Sequence, residues 1–430
     1  MGKVREFFSF FHGNILVLTV CRILWSISTS IAFPYLSLYI RALGGSPADV
    51  GVINALGLLS GMLLYPVGGY IADLRGRVRL VGLSTYLYAL SHIFYIAAKD
   101  WRALAVGQFL SQMLLFYTPA MNALMADSLP PDVRGRGFAT VRALPQIFRI
   151  VAPYLGGLLI AYYGSGDRGL IMAMRICFTI TLLVGLLVAT LRLKFLKETL
   201  SGEEGSITVS GFPRILRESY RSIFESIRWM PRSLRYIVLL EILESLFVSM
   251  AAPFWVLYAK DVIGLEPQHW GTIMLISGIF GLLLSLPMGA LVDRYGAKPV
   301  ILISLSLAPL SIVVFLLSPS FWGAALALTL LSIANTAITP SFSTLIANLI
   351  PRERRGRLYA LLGERGIMIS TGRYWGGGFL LFLPASIGSF TGGYLYEVDP
   401  RLPFIILITA LLASLLITYK FVKEPERAAI

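Results

Sequence analysis

Nine ionisable side chains fall inside stretches of this chain too apolar to lie in water. Six are bases (Arg22, Arg142, Arg149, Arg175, Arg365, Arg373) and three are acids (Glu241, Glu244, Glu364). A charge in hydrocarbon costs several kcal/mol, so such groups face a cavity or one another and mark binding or proton transfer. Depth separates their roles. Arg175 opens its span and can extend to the surface, and Arg142 lies near a rim, so both read as structural. Arg149 stands about eleven residues into its span, ~16 Å at 1.5 Å per residue and close to the midplane. It reads as a substrate or counter-ion contact, with a buried structural pair as the alternative. Glu241 and Glu244 are three apart and share one helix face. Arg22 lies at similar depth from the same side, ~12 Å. An Arg22 contact with Glu241 or Glu244, broken and remade in a working cycle, is expected; a static ion pair is the alternative. Either glutamate can also carry a proton, because a carboxyl that alternates between a dry site and one beside an arginine binds and releases it. Gln108 and Gln112, four apart, are expected to line the same space, whereas Asn54, Asn122, Asn335, Thr336 and His92 suit bonding between helices.

The elements that must position these residues follow from composition. Over half of the 430 residues are apolar (56%) and only 14% are charged, against about 25% charged in a soluble domain. Such a chain needs a lipid bilayer as partner, and about 20 apolar residues make one crossing. Twelve crossings are expected, near 14–39, 49–72, 80–98, 103–126, 138–162, 170–192, 236–259, 268–292, 299–317, 321–347, 358–396 and 403–421. The fold class is therefore all-α integral membrane, with two pseudo-symmetric six-helix bundles.

The formal charge of +14 reports topology, not nucleic acid. With both termini inside, segments on the inner side hold 25 of the 37 Lys and Arg, and outer loops hold 6. That asymmetry fits a multi-pass protein of the cell membrane with both ends in the cytoplasm. Cys21 and Cys177 fall within spans and read as packing residues, with neither a disulfide nor a metal site implied. No nucleotide-binding loop, metal cluster or nucleophile constellation is present in the sequence pattern, so neither an enzyme nor a cofactor is expected.

The chain repeats itself about 220 residues apart. GGYIADLRGR at 68–77 matches MGALVDRYGAK at 288–298, and ADSLPPDVRGR at 126–136 matches ANLIPRERRGR at 347–357, the latter pair ending in Arg136 and Arg357. Pro34 falls on Pro253, Tyr39 on Tyr258 and Arg22 on Glu241. Two homologous halves follow: 1–192 and 236–430, joined by a linker at 193–235. Within the linker, Leu216, Tyr220, Ile223 and Ile227 recur at helical spacing among arginines, the pattern of a basic amphipathic helix on the membrane surface. Span eleven is longer than span five by about 15 residues and includes Arg373 and Gly376, Gly377 and Gly378. Three glycines favour a helix break; a longer helix with an extension is equally compatible.

These loops resemble the signature of the major facilitator superfamily of secondary transporters, Gly-x-x-x-Asp-(Arg/Lys)-x-Gly-Arg-(Arg/Lys). Gly69, Asp73, Gly76 and Arg77 match it, with Leu74 and Val78 in place of two bases, and Gly289, Asp293 and Gly296 form the second copy. The resemblance implies that Asp73 sits at the start of span eleven and that Arg77 engages Asp127, latching the inner side. The element Ala152-Pro153-Tyr154-Leu155-Gly156-Gly157 is similar to the Gly-Pro-x-x-Gly-Gly of proton-exchanging exporters, with Pro153, Gly156 and Gly157 retained. The family implies alternating access by a monomer, exporting a small molecule in exchange for protons. An organic-anion exchanger or uptake porter is the alternative, since buried bases outnumber buried acids. A sensor that lost transport should also have lost Asp73, Arg77 and Asp127, which are all present.

Overall fold

The computed structural model describes residues 11–74, 76–130, 133–164, 166–199, 232–349, 369–371 and 378–422. Within these, 65–74, 134–136, 139, 142, 232–234, 343 and 346–349 are described by backbone course alone. The described residues form helices and turns, with no strand. The first half comprises α1 (Gly13–Ala42), α2 (Pro47–Leu74), α3 (77–96), α4 (101–127), α5 (Arg134–Tyr163) and α6 (Asp167–Phe195). The second comprises α7 (232–261), α8 (Pro267–Tyr295), α9 (Ala297–Leu317), α10 (Phe321–Leu349), α11 (Phe379–Val398) and α12 (Leu402–Phe421). Ten of these runs contain a stretch long and apolar enough to cross a membrane. The other two, α3 and α4, are interrupted passes: a turn at His92 breaks α3, and a 3-10 segment, Leu114–Tyr117, divides α4.

Local chemistry explains the joints. Proline has no N–H to donate and its ring crowds the preceding turn. Pro34 and Pro253 accordingly sit in 3-10 turns, Phe33–Tyr35 in α1 and Ala252–Phe254 in α7, so the sequence repeat reappears as a structural one. Gly76 (φ 83°) and Gly296 (φ 86°) separate α2 from α3 and α8 from α9. A side chain there would be strained in the left-handed region, which accounts for glycine in both signature loops.

Packing within each half follows the same plan. α1 lies against α5 and α6, and α7 against α11 and α12. The halves meet along two seams, α2 on α11 and α5 on α8. The chain alternates between two faces: one bears the turns at Gly76 and Gly296 with Arg77, Arg79, Arg294 and Lys298, hereafter the basic end; the other is the opposite end. Aromatic groups fill the core near the opposite end, with Phe33, Tyr95 and Phe178 clustered in one half and Trp255, Phe315 and Phe404 in the other.

Of the two forms expected for span eleven, the described residues take the broken one. The sequence suggested 358–396, but the helix begins only at Phe379, after Gly378 in extended conformation, and residues 369–371 are not helical. Asn335 of α10 receives the N–H of Ile369 and donates to its carbonyl, both at 2.9 Å. Asn335 lies 14 residues into α10, ~21 Å from the opposite end. Non-helical backbone at that depth needs a partner for both polar groups, and Asn335 supplies it. One continuous helix is thereby replaced by a break. The expected surface helix at 212–229 lies outside the described residues.

Candidate functional site

The seams close at the opposite end and part toward the basic end. On α2 and α11, Gly51 and Gly393 let the backbones touch: a Cβ on Gly51 would lie 2.5 Å from the Ser389 carbonyl, and one on Gly393 2.8 Å from that of Pro47. Ser386 donates to the Ala55 carbonyl (3.0 Å), and a Glu397 oxygen accepts the Ala48 N–H (3.0 Å), so an acid of one half caps the first turn of a helix in the other. On α5 and α8, a Cβ on Gly271 would meet the Tyr35 hydroxyl at 2.5 Å and the Pro153 carbonyl at 2.7 Å; Gly157 abuts Gln268 and Pro267 at 3.0 Å. Gly51 and Gly271 are mates in the repeat, as are Gly157 and Gly393 once the insertion is allowed for. The closure is thus a two-fold pair of glycine crossings. Arg41 of α1 adds an attraction to Asp261 of α7 across it, and the Tyr396 hydroxyl donates to Asp261 at 3.5 Å.

Contact along the α5–α8 seam reaches Ile150 against Gly278. Beyond it α8 is unburied on every face from Leu282 to Leu291, with Leu283 and Leu286 67% and 84% exposed, and a Cβ on Gly289 would meet nothing within 4 Å. A helix flanked by its partner half would bury more of this stretch than the half-buried Leu284, Met288 and Gly289. The described residues therefore frame an opening between the halves at the basic end. Arg149 is half-buried one residue below the Ile150 contact, at the head of that opening. Pro153 removes the helical donor for the Arg149 carbonyl, so backbone and guanidinium add polarity at one level. The Tyr35 hydroxyl donates to the Pro153 carbonyl at 2.6 Å, and Gly156 fits tightly against Ile31. Tyr35→Phe should cost about 1 kcal/mol, a neutral hydrogen bond, and lower the thermal midpoint in detergent; an unchanged midpoint would deny that bond a structural part.

Several expected contacts are not made. Arg22 donates to Asn122 of α4 (3.2 Å), within its own half, rather than to a glutamate. Glu241 and Glu244 are each 3% exposed, and none of their four oxygens has a hydrogen-bond partner among the described residues. With the basic end open, carboxyls on the cavity wall would be wet. These two face helix–helix seams instead, and Ser414 of α12 is the polar side chain toward Glu244. Gln108 and Gln112 are buried as well. They are 1% and 5% exposed inside the first half, with Gln108 accepting the Tyr95 hydroxyl (2.8 Å) and packing on Gly57. Arg77 is buried and paired with Asp127, and also reaches Thr199 at 3.3 Å. Asp293 is exposed. Gly69 lies within α2, the side chains of Asp73 and Arg136 are not described, and Arg357 and Arg373 lie outside the described residues.

Sequence reasoning missed Tyr35, Gly51, Gly271, Gly393 and Glu397. The repeat offset could have flagged the Gly51–Gly271 pair. Sequence reasoning also counted Arg192 among the 25 inner-side bases, outside the spans. Arg192 is instead 2% exposed, donating to Thr85 (2.6 Å) with its guanidinium 5.5 Å from the Tyr117 ring centre. Neutral acceptors and an aromatic face replace a carboxylate there.

Known proteins share this plan. The chain is 27% identical over 353 residues to the "Multi-drug resistance efflux pump PmrA homolog" of Lactococcus lactis subsp. lactis (strain IL1403), covering 77% of this chain and 79% of that one. It is 21% identical over 402 residues to the "Quinolone resistance protein NorA" of Staphylococcus aureus (strain MSSA476), covering 93% and 94%. Among solved structures it superposes on the nucleoside transporter NupG, in a mutant form, with TM-score 0.69 at 16% identity, over 95% of this chain and all of that one. An inward-facing, occupied bacterial homologue of the human lysosomal transporter Spinster gives 0.64 at 15%, over 94% of each. The family model described as Major Facilitator Superfamily matches residues 18–240 and again 237–430. Two matched halves, paired signature glycines and two inter-half seams agree: the chain belongs to the Major Facilitator Superfamily and is a multi-pass membrane transporter of small molecules.

Proposed function

We propose that this transporter exports amphipathic organic molecules from the cytoplasm in exchange for protons, as a monomer of the cell membrane with both termini inside and no enzymatic activity. The basic end is then the cytoplasmic end, as the distribution of Lys and Arg requires. The observation that carries the reading is the pair of buried, unpartnered carboxyls Glu241 and Glu244 in α7, within a chain similar to drug efflux pumps. A buried acid without a partner costs free energy in any one state, and persists where ionisation changes with the cycle. Cargo would enter the cytoplasmic opening beside apolar Leu283 and Leu286 and reach Arg149. Closure at the cytoplasmic end, with the signature loops including Asp73 and Asp293 brought together, would follow as the glycine crossings part outside. The units 1–192, 193–235 and 236–430 would be two rigid halves and their tether.

Liposomes carrying a trapped pH dye test this reading. Pools of candidate drugs and metabolites should move protons in the wild type, and Glu241→Gln or Glu244→Gln should cut that movement by at least about tenfold, each tenfold being ~1.4 kcal/mol of barrier. Wild-type proton movement in both variants would end the proton-carrier assignment. Arg22 and Arg149 near the opening favour a second reading, exchange of organic anions. Labelled anions would then cross without any proton signal.

A further inference from the structure

The acids lie off the cargo route, and a row of hydroxyl groups leads to them. Glu241, Ser245 and Ser249 recur every four residues on α7 and are all buried; Glu244 lies on the adjoining face. The Ser414 hydroxyl of α12 faces Glu244, too loosely placed to form a hydrogen bond. Thr418 follows one turn further toward the cytoplasmic end, three residues before the helix ends at Phe421. It is 1% exposed and its hydroxyl oxygen has no hydrogen-bond partner among the described residues. At 1.5 Å per residue Thr418 lies ~5 Å and Ser414 ~10 Å from that end. Tyr236 of α7 stacks on Phe421 of α12, so Glu244, eight residues after Tyr236, lies ~12 Å from the same level. The three thus ascend in order along one seam. Among the described residues of α10, α11 and α12, which pack on α7, no charged group faces either carboxyl; for Glu244 the neighbouring charge is Glu241.

We infer that protons reach Glu244 from the cytoplasm between α7 and α12, relayed by Thr418 and Ser414, apart from the opening that takes cargo. This rests on the proton-coupled reading above. A hydroxyl can accept one proton on a lone pair while giving up its own. Thr418 would take a proton from water at the helix end as its own passes to Ser414, whose proton passes to the Glu244 carboxylate. One proton leaves the water, one carboxylate is neutralised, and both hydroxyls are restored. Separate routes would let cargo and proton be bound without competing for one volume, so coupling would act through the packing of α7 rather than by displacement.

Infrared difference spectroscopy on the purified full-length protein tests the route without knowing the cargo. After a pH jump, the carboxyl band absent from Glu244→Gln should appear in the wild type. Thr418→Val, nearly isosteric, and Ser414→Ala should slow its appearance at least about tenfold, while Thr418→Ser, which keeps the hydroxyl, should restore the rate. Wild-type rates in Thr418→Val and Ser414→Ala would overturn the route and leave Glu244 as carrier. A slow rate in Thr418→Ser as well would assign Thr418 to packing and also overturn it. No titrating band in the wild type would instead refute the proton-carrier reading beneath it.

Discussion

The Gly271→Val variant is expected to lose transport almost completely and to rest with its outer side open. A Cβ at this position would already stand 2.5 Å from the Tyr35 hydroxyl and 2.7 Å from the Pro153 carbonyl. Neither neighbour can move away cheaply. The carbonyl belongs to a helix backbone, and the hydroxyl is held by its own bond to that carbonyl. Overpacking of this kind costs about 1–3 kcal/mol, and here the cost falls only on the state in which α5 and α8 are closed. Each 1.4 kcal/mol is a tenfold change in an equilibrium, so the inward-open population should fall about 5- to 150-fold. Cys21 and Cys177 are both buried, so a single reporter introduced as Gln268→Cys, beside the crossing, would dominate labelling by a membrane-impermeant thiol reagent. Faster labelling with loss of cargo flux is the expected result. Gly51→Val, at the pseudo-symmetric crossing, should act in the same direction. Unchanged labelling and flux in both would mean that these crossings do not set the resting state.

Those crossings show what a sequence can and cannot yield. The helices were legible because a bilayer leaves little choice: apolar length fixes each crossing. The signature loops were legible because Gly76 and Gly296 are needed for backbone reasons and occur twice. The Arg77–Asp127 contact followed from family resemblance, since spacing alone does not bring two helices together. Span eleven was drawn too long because apolar residues run on through the break; hydropathy registers composition, and the clamp by Asn335 is a tertiary contact. Glu241 and Glu244 were legible as neighbours on one helix, but their full burial was not. Helical periodicity says which residues share a face and is silent on whether that face meets a cavity or a neighbouring helix. The burial of Gln108 and Gln112 was hidden for the same reason. Arg192 was hidden by its neighbours, since a base beside Lys194 and Lys197 at a span terminus looks like a topological charge until its burial is seen.

Arg149→Ala is expected to weaken cargo binding more than any other single change within the opening. The guanidinium stands where the described contact between α5 and α8 ends, midway along α5, under a carbonyl that Pro153 deprives of its helical donor. In the proposed orientation, water filling the opening would reach this level, and a cargo molecule would displace it there. A hydrogen bond to a charged group contributes about 1.5–3 kcal/mol, so an anionic or zwitterionic cargo should lose roughly 10- to 150-fold in affinity. A cationic cargo should lose nothing, and should gain if Arg149 repels it. Equilibrium binding of paired probes, equal in apolar surface but opposite in charge, separates these outcomes on the same variant. Arg149→Lys keeps the charge but loses the planar, two-pronged donor, so it should rescue a point-charge contact and fail to rescue a bidentate one. Loss for the anion alone would assign Arg149 to charge selection. Equal losses for both probes would place its effect in the shape of α5, and the charge would then have no part in choosing cargo.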